Sequence, residues 1–124
     1  MSTVNSFRDL IVYLKAYGLA MKIFEISKNF PREEKYSLTD QIRRSSRSVT
    51  SNIAEAWARK KYIKYFVNKL TDSLGEEYET EVWLDYSRDT KYITSLEHSD
   101  LMLDYDEVRK MLLSMINHPE KWSS

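Results

Sequence analysis

The chain has 124 residues, 42% of them hydrophobic and 31% charged, with two glycines, two prolines and no cysteine. That is the length of one domain with material for a real core, so disorder, disulfide frameworks and thiolate metal sites are excluded, and few turn points remain. The formal net charge of zero hides a division: residues 1–70 hold fourteen basic and six acidic side chains, residues 71–124 five and thirteen. A chain polarised this way attracts a polyanion, or a second copy of itself.

The opening MSTVNSFRDLIVYL lacks the basic start and cleavage site of a signal peptide, and no apolar run approaches the ~18 residues of a membrane span. A bacterial cytoplasmic protein is the expectation. Leu10, Leu14, Tyr17, Met21 and Phe24 step by four and three, which predicts an amphipathic first helix with these side chains inward. Asn29-Phe30-Pro31 ends it, because a residue before proline avoids the helical region. Pro31, Glu33 and Glu34 suit a helical first turn, and Ser37 to Asp40 offers a cap for the second helix. The expected buried face of that helix is Leu38, Ile42, Ser45, Val49, Ile53 and Ala56, whose small members imply a close helix–helix approach.

Neither glycine nor proline occurs from Leu38 to Leu74, so a turn near Arg59–Lys61 is placed on compactness alone. A third helix is expected to turn Ile63, Val67, Leu70, Leu74 and Tyr78 inward, continuing to Trp83, Leu84 and Tyr86. Thr94-Ser-Leu-Glu97 has capping-box form. It opens a last helix with Leu101, Tyr105, Val108, Leu112 and Met115 as its stripe. The fold class is therefore all-α: a single antiparallel up-down-up-down four-helix bundle with helices at about 8–28, 37–58, 61–91 and 95–117.

Catalytic signals are weak. Glu77, Glu81, Asp85 and Asp89 form an acidic stripe, but di-metal bundles need Glu-x-x-His, and neither His98 nor His118 completes one. The stripe is expected to face solvent or a partner, with both histidines on the surface. Serines 45, 46, 48 and 51 have no histidine nearby in sequence and no Gly-x-Ser-x-Gly elbow, and there is no glycine-rich phosphate loop. No enzyme, metal or cofactor is expected.

The segment Arg43–Phe66 is different. Arg43, Arg44, Arg47, Arg59, Lys60, Lys61 and Lys64 stand against one acid, Glu55, among Trp57, Tyr62, Tyr65 and Phe66. Charge beside stacking surfaces is what single-stranded nucleic acid requires, and arginine suits bidentate phosphate contact. A merely solvated basic face is the competing reading. Gln41, Arg44, Ser48, Asn52, Glu55 and Arg59 form a polar stripe, in which Glu55 is spaced to pair with Arg59. Gln41, Asn52 and Glu55 are expected to belong to a structural polar network between helices or subunits.

The chain resembles the four-helix bundle family typified by the 23S rRNA intervening-sequence protein, to which the accessory proteins of diversity-generating retroelements look related. The residues carrying the resemblance are Phe7-Arg-Asp9-Leu10, Phe30-Pro31-Arg-Glu-Glu34, Leu38-Thr-Asp-Gln41-Ile-Arg43-Arg44, Ser48-Val49, Asn52-Ile53-Ala54-Glu55 and Arg59. Ala56 and Ala58 stand where the family favours glycine, and Gly75 is followed by Glu76 rather than serine. The resemblance implies no catalysis. It implies a ring-shaped homopentamer with a basic surface and, in the retroelement branch, association with a reverse transcriptase and structured RNA. The expectation is a non-enzymatic homo-oligomer binding RNA or DNA through the seven basic residues. The alternative is an interaction scaffold whose basic patch is consumed between subunits.

Overall fold

A computed structural model describes residues 4–122. Four helices, α1 (Ile11–Ser27), α2 (Leu38–Ala58), α3 (Ile63–Asp89) and α4 (Ser95–Asn117), are joined by short turns, and no strand occurs among the described residues. Each helix packs on its neighbours in the order α1, α2, α3, α4 and back to α1, whereas α1 and α3 occupy opposite corners. The protein is an all-α four-helix bundle.

Local chemistry sets the helix ends. Ser6 and Asp9 form a capping box ahead of α1, with Asp9 accepting from the Ser6 amide at 3.1 Å. Thr94 and Glu97 form another at the start of α4. The start of α2 corrects the expectation of a serine cap. Ser37 donates its hydroxyl to Glu34 at 2.6 Å, and it is the Glu34 carboxylate that accepts from the Leu38 amide at 3.3 Å. Tyr92, in the α3–α4 turn, donates to the other Glu34 oxygen at 3.0 Å. The bonds from Ser37 and Tyr92 hold the Glu34 carboxyl below its ordinary pKa. The α2–α3 turn runs through Arg59–Tyr62, between helices that end at Ala58 and begin at Ile63.

The stripes expected of α2 and α4 are buried throughout. Those of α1 and α3 are rotated. In α1 the core takes Val12, Ala16, Leu19, Ile23 and Ser27, while Leu14, Tyr17 and Met21 face outward. In α3 it takes Phe66, Leu70, Ser73, Glu77, Thr80, Leu84 and Ser87, leaving Ile63, Tyr78 and Tyr86 exposed. The polar members of that face bind α2 closely. Ser73 Oγ donates to the Val49 carbonyl at 2.7 Å, and Thr80 Oγ1 reaches Ser45 Oγ at 2.9 Å. Small side chains on both helices let the backbones approach, and the hydroxyls satisfy one another there.

The acidic stripe of α3 runs from the core to the surface: Asp85 and Asp89 are exposed as expected, whereas Glu77 and Glu81 turn inward. Glu77 is fully buried, Glu81 accepts from Arg109 at 3.1 Å, Asp85 meets His98 at 2.8 Å, and Asp89 pairs with Arg88 at 2.9 Å. His98 is accordingly buried and holds α4 to α3, contrary to its expected surface position; His118 is exposed.

Candidate nucleic-acid interface

Phe24 organises the basic surface. It lies on α1, one turn before Ser27 and Lys28, and its ring faces the amino-terminal half of α2. The Arg43 guanidinium stacks over it at 4.7 Å from the ring centroid, Arg47 at 5.7 Å and Lys28 at 4.9 Å. Arg43 Nε also donates to Ser27 Oγ at 2.7 Å. Two arginines that would otherwise sample many rotamers are thereby aimed along one surface. Attraction of a cation to an aromatic face is worth about 0.5–1 kcal/mol at an exposed site, and guanidinium groups held in place lose less entropy when they meet phosphate.

Arg43, Arg44 and Arg47 line an open groove of about 550 Å³ together with Lys35, Tyr36 and Ser51. Tyr36 is 83% exposed at one end of it. The exposed acid Asp40 also lines the groove, so the surface is basic without being uniformly so. Arg44 further lies near Glu76 of α3, whose pKa is raised chiefly by burial and by neighbouring acids.

The basic run, continuous in sequence, is divided in space. Arg43, Arg44 and Arg47 belong to the first half of α2. Arg59, Lys60 and Lys61 lie past its end, and Lys64 starts α3. Eleven residues of helical rise separate Arg47 from the end of α2 at Ala58, about 17 Å, and Lys60 lies beyond it. At the far end Lys60 lies 4.3 Å from the Trp57 ring centroid, and exposed Tyr62 and Tyr65 meet edge to face at 6.3 Å. Small side chains, Ser51, Ala54 and Ala58, occupy the outer ridge of α2 between the two clusters.

Within one chain the polar stripe reaches a second helix at Glu55. Glu55 pairs with Lys69 of α3 at 3.7 Å and not with Arg59, because the α2–α3 crossing brings that lysine alongside while Arg59 leaves the helix. Asn52 turns back to the Ser48 carbonyl of its own helix at 2.9 Å, and half-buried Gln41 lines a cleft with Tyr36 and Trp83. Ser73 and Thr80 add further bonds between α3 and α2. The sequence pattern assigns Phe24 to the inward stripe of α1, not to the basic surface, and singles out none of Ser27, Lys28, Lys35 and Tyr36 for that surface. The available signal was Phe24 and Lys28 at i, i+4, a spacing that places an aromatic ring and a cation on one helix face.

Among the described residues no group of three or more His, Cys, Asp or Glu side chains is arranged to hold a metal ion, and no helix is long and apolar enough to cross a membrane.

The arrangement defines a class: an antiparallel four-helix bundle bearing arginines stacked on an aromatic ring along its second helix. Sequence comparison then places it. The chain belongs to the 23S rRNA-intervening sequence protein family, whose model matches residues 8–114. It is similar to a protein of unknown function from the S23 ribosomal protein family of Bacteroides thetaiotaomicron, known from its crystal structure. The two share 34% identity over 86% of this chain and 96% of that one, with a TM-score of 0.78. A search of curated proteins finds no match.

Proposed function

We propose that this protein is a non-enzymatic, cytoplasmic homo-oligomer that binds nucleic acid, RNA in particular, through the outer face of α2. The reading is carried by one observation: Arg43 and Arg47 are stacked on Phe24 beside the exposed Arg44, in an open groove ended by an exposed tyrosine. Phosphates meet preoriented guanidinium groups, and Tyr36, Tyr62 and Tyr65 offer stacking faces to unpaired bases. The name of the family, 23S rRNA-intervening sequence protein, fits an RNA ligand.

Fluorescence anisotropy with a labelled single-stranded RNA, repeated across a salt series, tests the proposal. Affinity should fall steeply with salt, with a log–log slope of about −0.7 for each phosphate contacted. Arg44→Glu/Arg47→Glu, which changes exposed side chains only, should weaken binding by at least tenfold and flatten that slope. Binding indifferent to salt and to the substitutions would overturn it. An assembled protein that ignores RNA would instead favour an interaction scaffold, for example an accessory subunit of a reverse transcriptase.

A further inference from the structure

Tyr36 borders two sites. On one side lies the basic groove of Arg43, Arg44 and Arg47; on the other is an open cleft of about 460 Å³ between the start of α2 and the last two turns of α3. Phosphate binding in the groove leaves this second cleft unused. Its walls are aromatic. Tyr36 is 83% exposed and Tyr86 57%, and half-buried Trp83 has its ring centroid 5.8 Å from that of Tyr86. The rings are held in place: Trp83 Nε1 donates to Glu79 Oε2 at 3.1 Å one turn earlier on α3, and the Lys35 ammonium lies 5.3 Å from the Tyr36 centroid.

The polar groups narrow the occupant. Gln41, half-buried on α2, lines the cleft, and its side-chain amide meets no protein partner among the described residues. An amide carries both donors and an acceptor, so this one is free to bind a ligand edge. Glu34 lines the cleft too, but its carboxylate already accepts from the Ser37 hydroxyl, the Leu38 amide and Tyr92. Its negative charge repels phosphate, while donors already in place leave it little to offer a cation. The ligand that suits such walls is flat and neutral, with a hydrogen-bonding edge.

Position ties that ligand to the groove. Arg44 follows Gln41 by three residues of α2, about 5 Å of helical rise. A single nucleotide spans that interval from phosphate to base. A strand whose phosphates lie along Arg43, Arg44 and Arg47 therefore has a base within reach of the cleft.

We infer that the cleft of Tyr36, Gln41, Trp83 and Tyr86 is a nucleobase pocket, taking one unpaired base of the strand whose phosphates occupy the basic groove. The base stacks on the aromatic rings, and the Gln41 amide reads its edge. Adenine is the base that such a fork fits, through N6 and N7. The arginines supply affinity without regard to sequence, and the cleft supplies the choice of base.

The inference rests on the RNA binding already proposed, and fluorescence anisotropy with three labelled strands of equal length separates the two: oligoadenylate, oligouridylate and an abasic strand with the same phosphates. The parent should prefer oligoadenylate to oligouridylate. Tyr86→Ala removes an exposed ring and no charge. It should weaken oligoadenylate about fivefold or more, the effect of one lost stacking contact, and leave the abasic strand and the salt slope as in the parent. Gln41→Leu should narrow the preference for adenine over uracil, again without touching the abasic strand. Both variants should keep the far-ultraviolet helicity of the parent. Oligoadenylate bound equally by parent and both variants, or an abasic strand weakened as much as oligoadenylate, would overturn the pocket while RNA binding stands. A parent that binds none of the three strands would overturn both.

Discussion

Arg109 Nη1 donates to Glu81 Oε2 at 3.1 Å across the α3–α4 seam, and so holds that carboxyl group one helical turn from Glu77, which has no donor in reach of either oxygen. Arg109 pairs with Asp106 as well, and fully buried Tyr105 is the other neighbour whose polar atom is unpaired. Burial first, then the adjacent Glu81, push the Glu77 pKa from 4.5 up to about 9. At neutral pH Glu77 is therefore held as the neutral acid.

Stability should follow that proton. Between pH 4.5 and about 9 the folded chain keeps it while the unfolded chain has released it, so folding weakens as pH rises through this window. The limit is a tenfold loss in the folding equilibrium constant for each pH unit. Below 4.5 both states are protonated, and this contribution is fully present. Urea titrations at pH 6 and pH 8.5 should show the decline, and Glu77→Gln should remove most of it while being the more stable protein at pH 8.5. An equal slope in both proteins would show that Glu77 is not the group responsible.

The α3–α4 turn holds Lys91 at a φ of 66°, the one non-glycine residue with positive φ among those described. Its backbone continues a tight link in which the Tyr92 and Ile93 amides both donate to the Ser87 carbonyl. A side chain in the left-handed region costs about 1 kcal/mol, a penalty glycine does not meet. Lys91→Gly should therefore stabilise the fold slightly, by up to about 0.5 kcal/mol once the added freedom of the unfolded chain is deducted. Thermal melting followed by circular dichroism measures this directly, and a lowered midpoint would refute it.

The same features explain which parts of the fold could be read from sequence. In α2 one face is apolar and the other polar, so periodicity selects Ile42, Val49 and Ile53 without a rival. In α4 the stripe through Leu101, Val108 and Leu112 is the longest regular one, although Leu96 and Leu103 interrupt the polar face. α1 is apolar nearly all round: the stripe through Leu14 and Met21 competes with the one through Val12, Leu19 and Ile23, and hydrophobicity gives no basis for a choice. In α3 the buried face includes Ser73, Glu77, Thr80 and Ser87, which a search for apolar positions passes over by construction. Pairing across helices decides there, and it is invisible in one dimension. The basic cluster was legible as composition, but its division into two ends of α2, and its seat on Phe24 of another helix, are properties of the packed bundle.

Phe24 allows charge and placement to be separated. Phe24→Leu keeps every cation and about the same volume, but removes the ring beneath Arg43, Arg47 and Lys28. If the ring serves to aim the arginines, single-stranded RNA should bind roughly two- to fivefold more weakly, in line with ~0.5–1 kcal/mol for an exposed cation–aromatic contact. The slope of affinity against salt should stay that of the parent, because no phosphate contact has lost its charge. A steeper or shallower slope at unchanged affinity would contradict this account of the site.

Tyr105 presents the opposite situation, a group the core would be better without. Its ring is fully buried in α4, its hydroxyl has no partner, and burial, then the neighbouring Glu77, hold the phenol above its ordinary pKa. A buried hydroxyl with no hydrogen bond forgoes its solvation by water, a penalty of about 1–3 kcal/mol, and removing such a group with little change of shape is nearly neutral or stabilising. Tyr105→Phe should accordingly unfold at equal or higher urea concentration than the parent, whereas Tyr105→Leu, which leaves space in a packed seam, should lose stability. Combined with Glu77→Gln, the gain should differ from the sum of the separate effects, since the two are neighbouring buried polar groups without partners. Strict additivity at pH 8.5 would mean that the hydroxyl and the carboxyl do not sense each other.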